Sequence, residues 1–170
     1  MNAQQLREAQ APLREEYKAD PDAARTLVRA RGDFRDAGVT ATVDGWAGPV
    51  RAGLHRATGG DGSDACSGDM LMDALAACAG VTLRSVATAR GLTVRECRVS
   101  AEGIFDARGT LGVSREVPVG VTDVVVRFEL DTDADDETLG ALARATERYC
   151  VVGASLATPP TIEVRRLPGD

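Results

Sequence analysis

Between Asp69 and Arg90 small and apolar side chains recur at three- and four-residue steps, through Leu71, Ala74, Leu75, Cys78, Val81, Thr82, Ser85, Val86 and Ala89. That spacing predicts an α-helix with one face turned inward, and at a rise of 1.5 Å per residue it would run for about 33 Å. Ser67 is placed to cap its start, Asp69 to meet the positive end of its dipole, and Gly91 to close it in a left-handed conformation. Because the stripe consists mostly of Ala, Cys, Thr and Ser, a second helix or a sheet must approach it closely. On either side the period changes to two. GVTATVDGW and PVRAGLHRA alternate about a Gly/Pro turn and predict a hairpin; the TGGDGSD stretch that follows reads as a flexible loop. Residues 92–105 predict a strand with Cys97, Val99, Ala101 and Phe105 inward. Residues 117–130 predict another, with Val124, Val126, Phe128 and Leu130 inward, after a loop centred on Gly109 and Gly112.

A second amphipathic helix follows, capped by Asp133 or Asp135, with Leu139, Leu142, Ala143, Thr146 and Tyr149 inward and Cys150 at its end; TIEVRRL supplies a last short strand. The opening of the chain is more polar. Residues 2–18 carry Leu6, Leu13 and Tyr17 on a loose helical stripe interrupted by Pro12. Asp20 and Pro21 then form a cap and first-turn pair ahead of a second helix, Ala23–Arg31, closed by Gly32. Residues 1–32 are thus an N-terminal helical extension and 33–170 the main domain. Helices, hairpin, long helix, long hairpin, helix and strand make an α+β fold with antiparallel sheets.

Composition narrows the chemistry. The 170 residues suit one core, and 26 acidic against 20 basic residues leave a net charge of −6, so no basic surface is available for nucleic acid or an anionic membrane. No run of roughly 18 or more uninterrupted apolar residues spans a bilayer, and MNAQQLREAQAPLREEYKAD lacks the apolar core of a secretory signal. The expected location is cytoplasmic. Lys18 is the single lysine and His55 the single histidine, which leaves little scope for Schiff-base or imidazole mechanisms. His55 reads as a surface or strand residue.

Four cysteines remain: Cys66, Cys78, Cys97 and Cys150. They form no C-x-x-C pair and have no histidines beside them, so no metal and no cofactor is expected. In a reducing compartment each thiol is either a small buried apolar group or a reactive one. Cys78 lies too far into its helix for the dipole to activate it, so an ionised thiol there needs another charge. Cys150, in ERYCVVGAS, stands beside Arg148 and ahead of a glycine. A pair of thiols can reduce a peroxide, one passing through a sulfenic acid that the other condenses into a disulfide. Spacing alone does not favour Cys78 and Cys150 over Cys66 and Cys97.

GGDGSDACSGDMLMDALAACAGVTLRSVATARGLTV resembles the signature of the OsmC/Ohr family, a glycine-paired loop leading into a helix of the form P-G-E-L-L-x-x-A-L-A-A-C. ERYCVVGASL resembles that family's second cysteine motif. The resemblance covers about residues 38–167. It implies an OsmC-like domain in an intertwined homodimer, with strands paired across subunits and the long helices central. The activity it implies is a thiol-dependent peroxidase for organic hydroperoxides, recycled by a thiol or a lipoyl-bearing reductant. Cys78 matches the peroxidatic thiol and Cys150 the resolving one.

The family also sets an arginine, oriented by a first-turn glutamate, against the thiolate, where a guanidinium favours ionisation. Here Gly68 occupies that glutamate's position in the hydroperoxide-reducing branch, and Asp69 is the nearest substitute, serving otherwise as a dipole partner. Arg51 is the first candidate for the arginine and Arg35 the second, and Val151 stands where a proline often follows the second cysteine. Cys66 reads as a loop residue and Cys97 as core. Trp46 and Phe105 are candidates for an apolar entrance or for plain packing. The alternative to a peroxidase is a non-catalytic OsmC-like dimeric module that holds a small apolar or acyl ligand.

Overall fold

The computed structural model describes residues Met1–Leu167. In chain order the elements are α1 (Ala3–Ala19), β1 (Gly32–Asp33), β2 (Thr40–Gly45), β3 (Gly48–Gly53), β4 (Ala65–Cys66), α2 (Ser67–Ala89), β5 (Glu96–Ile104), α3 (Ala107–Thr110), β6 (Thr122–Asp131), α4 (Asp136–Tyr149), α5 (Val151–Ala154) and β7 (Thr161–Arg166). Two sheets result, with strand orders β1-β2-β3-β4 and β5-β6-β7. The chain gathers into two compact units. One holds Met1–Leu27, Leu75–Ala101 and everything from Val125 onward; the other holds Val28–Ala74 and Glu102–Val124.

The first unit carries the main core. Val126, Phe128 and Leu130 alternate along β6 and are fully buried, as the period of two requires. From α2 come Leu75, Ala79, Leu83 and Ala87, and from α4 Leu139, Leu142, Ala145 and Thr146. The inward stripe of α2 is therefore rotated from the one its sequence suggests: Val81 is 72% exposed, and Cys78 and Ser85 are only half-buried. A helix apolar nearly all round does not reveal from periodicity which side a sheet will cover. For the same reason α2 is long and apolar enough, by length and composition only, to cross a membrane, although charged and polar residues interrupt its apolar runs. It begins at Ser67 itself. Gly91 ends it in the expected left-handed conformation (φ 69°), with N–H bonds from Gly91 to Thr88 and from Leu92 to Ala87 that satisfy its last carbonyls.

Asp135 caps α4 by accepting from the Thr138 N–H at 2.8 Å. Tyr149, expected inward, is 59% exposed under the Arg148 guanidinium, and Ala145 takes the buried place. After α4 the chain returns as β7 parallel to β6, from Val125↔Thr161 to Leu130↔Arg166. A helical crossover permits this, whereas a tight hairpin does not. β5, at the sheet edge, is exposed along most of its length, Cys97 included. Alternation showed which of its side chains share a face but not whether anything lies on that face. Arg95 ties the start of this strand to Asp131 (2.6 Å) and Asp133 (2.8 Å).

The N-terminal extension is helical only in part. α1 forms with Pro12 inside it and an Asn2/Gln5 capping box. Asp20 caps a single 3-10 turn, Pro21–Ala24, and the predicted helix over residues 23–31 is absent. Leu27 and Val28 are 75% and 87% exposed. A nine-residue helix with no surface to pack on does not repay its nucleation cost.

In the second unit, β2 and β3 form the predicted antiparallel hairpin, closed between Gly45 and Gly48, with Trp46 wholly exposed at its tip. β4 joins β3 in parallel through Ala52↔Ala65 and Gly53↔Cys66. Cys66, read as a loop residue, is therefore a strand residue just beyond the TGGDGSD stretch. Phe128→Ala should lower the stability of the first unit by about 3–5 kcal/mol, since a fully buried ring is lost and a cavity remains. The midpoint of urea unfolding followed by circular dichroism checks this.

Candidate active site

Cys150 occupies the joint between two helices. Its N–H donates to the Thr146 carbonyl at 2.9 Å and ends α4, while its sulfur accepts the Gly153 N–H at 3.4 Å and starts α5. An extended backbone (φ −75°, ψ 105°) lets one residue serve both ends. The side chain is buried, 1% exposed. Cys78, at the border between the buried and open faces of α2, is close enough that each thiol shifts the acidity of the other. Both thiols are free.

The contact pushes the two thiols apart in acidity. Burial acts to raise that of Cys78, but the Val152 N–H, the Cys150 thiol, the Val151 N–H and the Thr82 hydroxyl all favour its ionised form, and the net shift is downward. For Cys150 burial is the main cause of an upward shift, reinforced by Cys78 and opposed by the Gly153 and Val152 N–H groups. The α2 helix thus carries the more acidic sulfur and the α4–α5 joint the less acidic one. The principal groups that acidify Cys78 are neutral. The sequence pointed to a charge in this role, and neither Val151 nor Val152 bears a side-chain signal that sequence reasoning uses. Thr146, one turn before Cys150, is fully buried, and its hydroxyl has no hydrogen-bond partner among the described residues.

The other candidates belong to the second unit. Arg51, on β3, forms an ion pair with Asp64, just ahead of β4. Asp64 is mostly buried, and Gly53 makes room for it, since a Cβ there would come within 2.7 Å of its carboxylate. Arg35 is held by Asp33 (2.6 Å) and Asp44 (2.7 Å). Asp69 is exposed in the first turn of α2 and forms no ion pair among the described residues. Sequence reasoning missed Asp64 because its nearness to Arg51 depends on the parallel β3–β4 pairing, which no local pattern announces.

His55 caps a 3-10 turn by accepting the Ala57 N–H at 3.0 Å and meets Phe105 edge to face, with ring centroids 5.2 Å apart. Phe105 is half-buried in that contact, and Trp46 stands free in solvent. Cys97, read as core, is exposed overall because nothing covers the edge strand. Its thiol is nevertheless pushed up by partial burial, with the Arg84 charge opposing. No group of three or more potential metal ligands occurs among the described residues.

The family model described as OsmC-like protein matches residues 60–165. No curated protein matches the chain. Among solved structures, an organic hydroperoxide resistance protein from Elizabethkingia anophelis is similar with a TM-score of 0.66 and 13% identity, over 85% of this chain and 99% of that one. An OsmC-like protein from Mycoplasma pneumoniae gives 0.65 and 12% identity, over 84% and 96%. An OsmC-like protein of unknown function from Vibrio cholerae gives 0.64 and 15% identity, over 84% and 99%. At these identities the likeness is one of fold.

Val151→Pro tests the source of the acidity. Proline is well tolerated at the first position of a helix, and the extended backbone of Cys150 suits the residue before it, so α5 should persist while one N–H aimed at Cys78 is removed. The pH profile of Cys78 alkylation, read by mass spectrometry, should move to higher pH; the profile of Cys97 should not.

Proposed function

The chain belongs to the OsmC/Ohr family of OsmC-like proteins, and from that membership we propose that it is a thiol-dependent peroxidase that reduces organic hydroperoxides. The observation that carries the reading is the contact between Cys78 and Cys150 with their acidities shifted in opposite directions. A thiolate is the nucleophile in such chemistry and a thiol is not. The Cys78 thiolate attacks the terminal oxygen of the hydroperoxide. The O–O bond breaks, an S–O bond forms, and the alkoxide leaves as the alcohol after taking a proton from solvent. Sulfur is oxidised by two electrons to a sulfenic acid as the peroxide is reduced.

Cys150 then attacks the sulfenic sulfur, forming the S–S bond and releasing water. A dithiol or lipoyl-bearing reductant returns the pair to two thiols. Such recycling suits a cytoplasmic setting. The neighbouring N–H groups also suit the charge that leaves on oxygen, since fixed dipoles need no reorganisation as it develops. In this scheme Arg51 is an auxiliary cation whose pairing with Asp64 replaces the glutamate absent at Gly68, and Asp69 is a first-turn dipole partner. The protein is proposed to work as a homodimer, in which a second copy covers the exposed Trp46, Phe34 and Val39 of the second unit.

Equimolar cumene hydroperoxide should consume both thiols of the pair in the wild-type chain and leave Cys97 free. Cys150→Ser should accumulate a sulfenic acid on Cys78, trapped by dimedone and located by peptide mass mapping. Cys78→Ser should abolish peroxide consumption. Equal dimedone labelling of all four cysteines, or turnover that survives Cys78→Ser, would overturn the peroxidase reading and leave the ligand-binding module.

A further inference from the structure

Among the described residues one buried side-chain polar atom lacks a hydrogen-bond partner, the Thr146 hydroxyl of α4. Burial alone does not force this. Thr42 and Thr132 are the other buried polar side chains, and both hydroxyls are bonded, the first to the Asp36 carboxylate and the second to the Thr93 carbonyl at 2.7 Å. Nor does a helix force it: Thr82 of α2 donates to the Cys78 carbonyl and Ser155 to the Val151 carbonyl, each four residues back at 2.8 Å. Thr146 makes no such bond to Leu142, although a threonine in a helix has a rotamer that permits one. An unpaired buried hydroxyl destabilises a fold, and its persistence calls for a state of the protein in which it is paired.

Cys150 is the reacting group one turn further on. Its N–H closes on the Thr146 carbonyl at 2.9 Å, so the two side chains stand on one face of the helix, with Cβ atoms roughly 5–6 Å apart, and both are buried. As a neutral thiol the Cys150 sulfur accepts the Gly153 N–H at 3.4 Å. A charged sulfur there needs more. Burial and the Cys78 thiol both oppose its ionisation, and the Gly153 and Val152 N–H groups favour it. Glu147 and Arg148, its charged neighbours on α4, are exposed. A hydroxyl within reach of a single side-chain rotation is the missing donor.

We infer that Thr146 is a positioning residue for the thiol pair: its hydroxyl turns to the Cys150 sulfur and donates a hydrogen bond whenever that sulfur carries negative charge. Two steps create the charge. When Cys150 attacks the Cys78 sulfenic acid, the S–S bond forms as the S–O bond breaks, and the hydroxide leaves as water with the Cys150 proton. When a dithiol reductant attacks Cys78 in the disulfide, the S–S bond breaks with its electron pair on Cys150, which departs as a thiolate and then takes a proton from solvent. Thr146 keeps its own proton in both. The inference deepens the peroxidase reading and rests on it for these two steps, whereas the hydrogen bond to a Cys150 thiolate does not depend on it.

The test uses the full chain with Thr146→Val, which keeps the shape of the side chain and removes the hydroxyl. In a Cys78→Ser background the pH profile of Cys150 alkylation, read by peptide mass mapping, should move up by at least about one pH unit, the tenfold that one hydrogen bond to a charged group supplies, because the thiolate loses a donor. Thr146→Ala should give the same shift, and Thr146→Ser should restore the profile. The thermal midpoint of Thr146→Val should hold or rise, since an unpaired polar atom is removed. With Cys78 present, equimolar cumene hydroperoxide should oxidise Cys78 at the wild-type rate in Thr146→Val, while the disulfide forms about tenfold more slowly and dimedone traps the delayed sulfenic acid. An unmoved Cys150 profile in the valine variant, a serine variant that behaves as the valine one, or equal slowing of both oxidation steps would overturn the inference. A wild-type chain that forms no sulfenic acid overturns the peroxidase reading instead, and the alkylation profile still decides the role of Thr146.

Discussion

One buried joint organises the chemistry: a single residue ends α4, starts α5 and presents its sulfur to α2. The Cys150 backbone closes one helix through Thr146 while its side chain opens the next through Gly153. Its position is thus fixed by hydrogen bonds on both sides as well as by burial. Cys78 meets it from the edge of a stripe whose buried members, Leu75 and Ala79, anchor α2 in the same core as Phe128 and Leu142. Close packing on those side chains leaves α2 little freedom to rotate. The pairing of the two sulfurs is therefore a product of the core, and changes that loosen the core act on the chemistry as well.

The electrostatics of the pair differ from those the family resemblance suggests. An arginine set against a thiolate is a strong device, but it needs a carboxylate to aim it and a loop to carry it. The N–H groups of Val151 and Val152 are built into the segment that carries Cys150, so the second thiol of the pair and the groups that acidify Cys78 arrive together. Arg51 and Arg35 are both held in ion pairs with part-exposed side chains, and solvent and salt screen such pairs. Freeing either guanidinium costs little by comparison with breaking the core around Cys150.

The architecture was legible where local periodicity and capping decide it. β6 alternates as written, Asp135 caps α4, Gly91 closes α2, and the β2–β3 hairpin turns at its glycines. The sequence was silent where an element's environment decides its fate. Val81 and Tyr149 sit in helical stripes as convincing as those of Leu75 and Leu142, yet both stay exposed. The helix expected over 23–31 had good caps and no surface to pack on. β4 and β7 join their sheets in parallel, through connections whose course no short pattern encodes. At the candidate site, motif likeness singled out Cys78 and Cys150. The donors from Val151 and Val152 were invisible because they belong to the main chain, where side-chain identity says nothing, and Asp64 was hidden by the non-local β3–β4 pairing.

The segment after Cys150 is short and tied at both ends. Gly153 packs against the buried Pro160, whose ring would come within 3.3 Å of a Cβ at that glycine, and β7 begins one residue later. This leash keeps the Cys150 sulfur out of solvent, whereas Cys78 is only half-buried. In a mixed-disulfide exchange the accessible sulfur is the one attacked and the sheltered one departs. If the disulfide proposed above forms, an incoming thiol would therefore bond to Cys78 and release Cys150, giving the exchange a direction set by sterics.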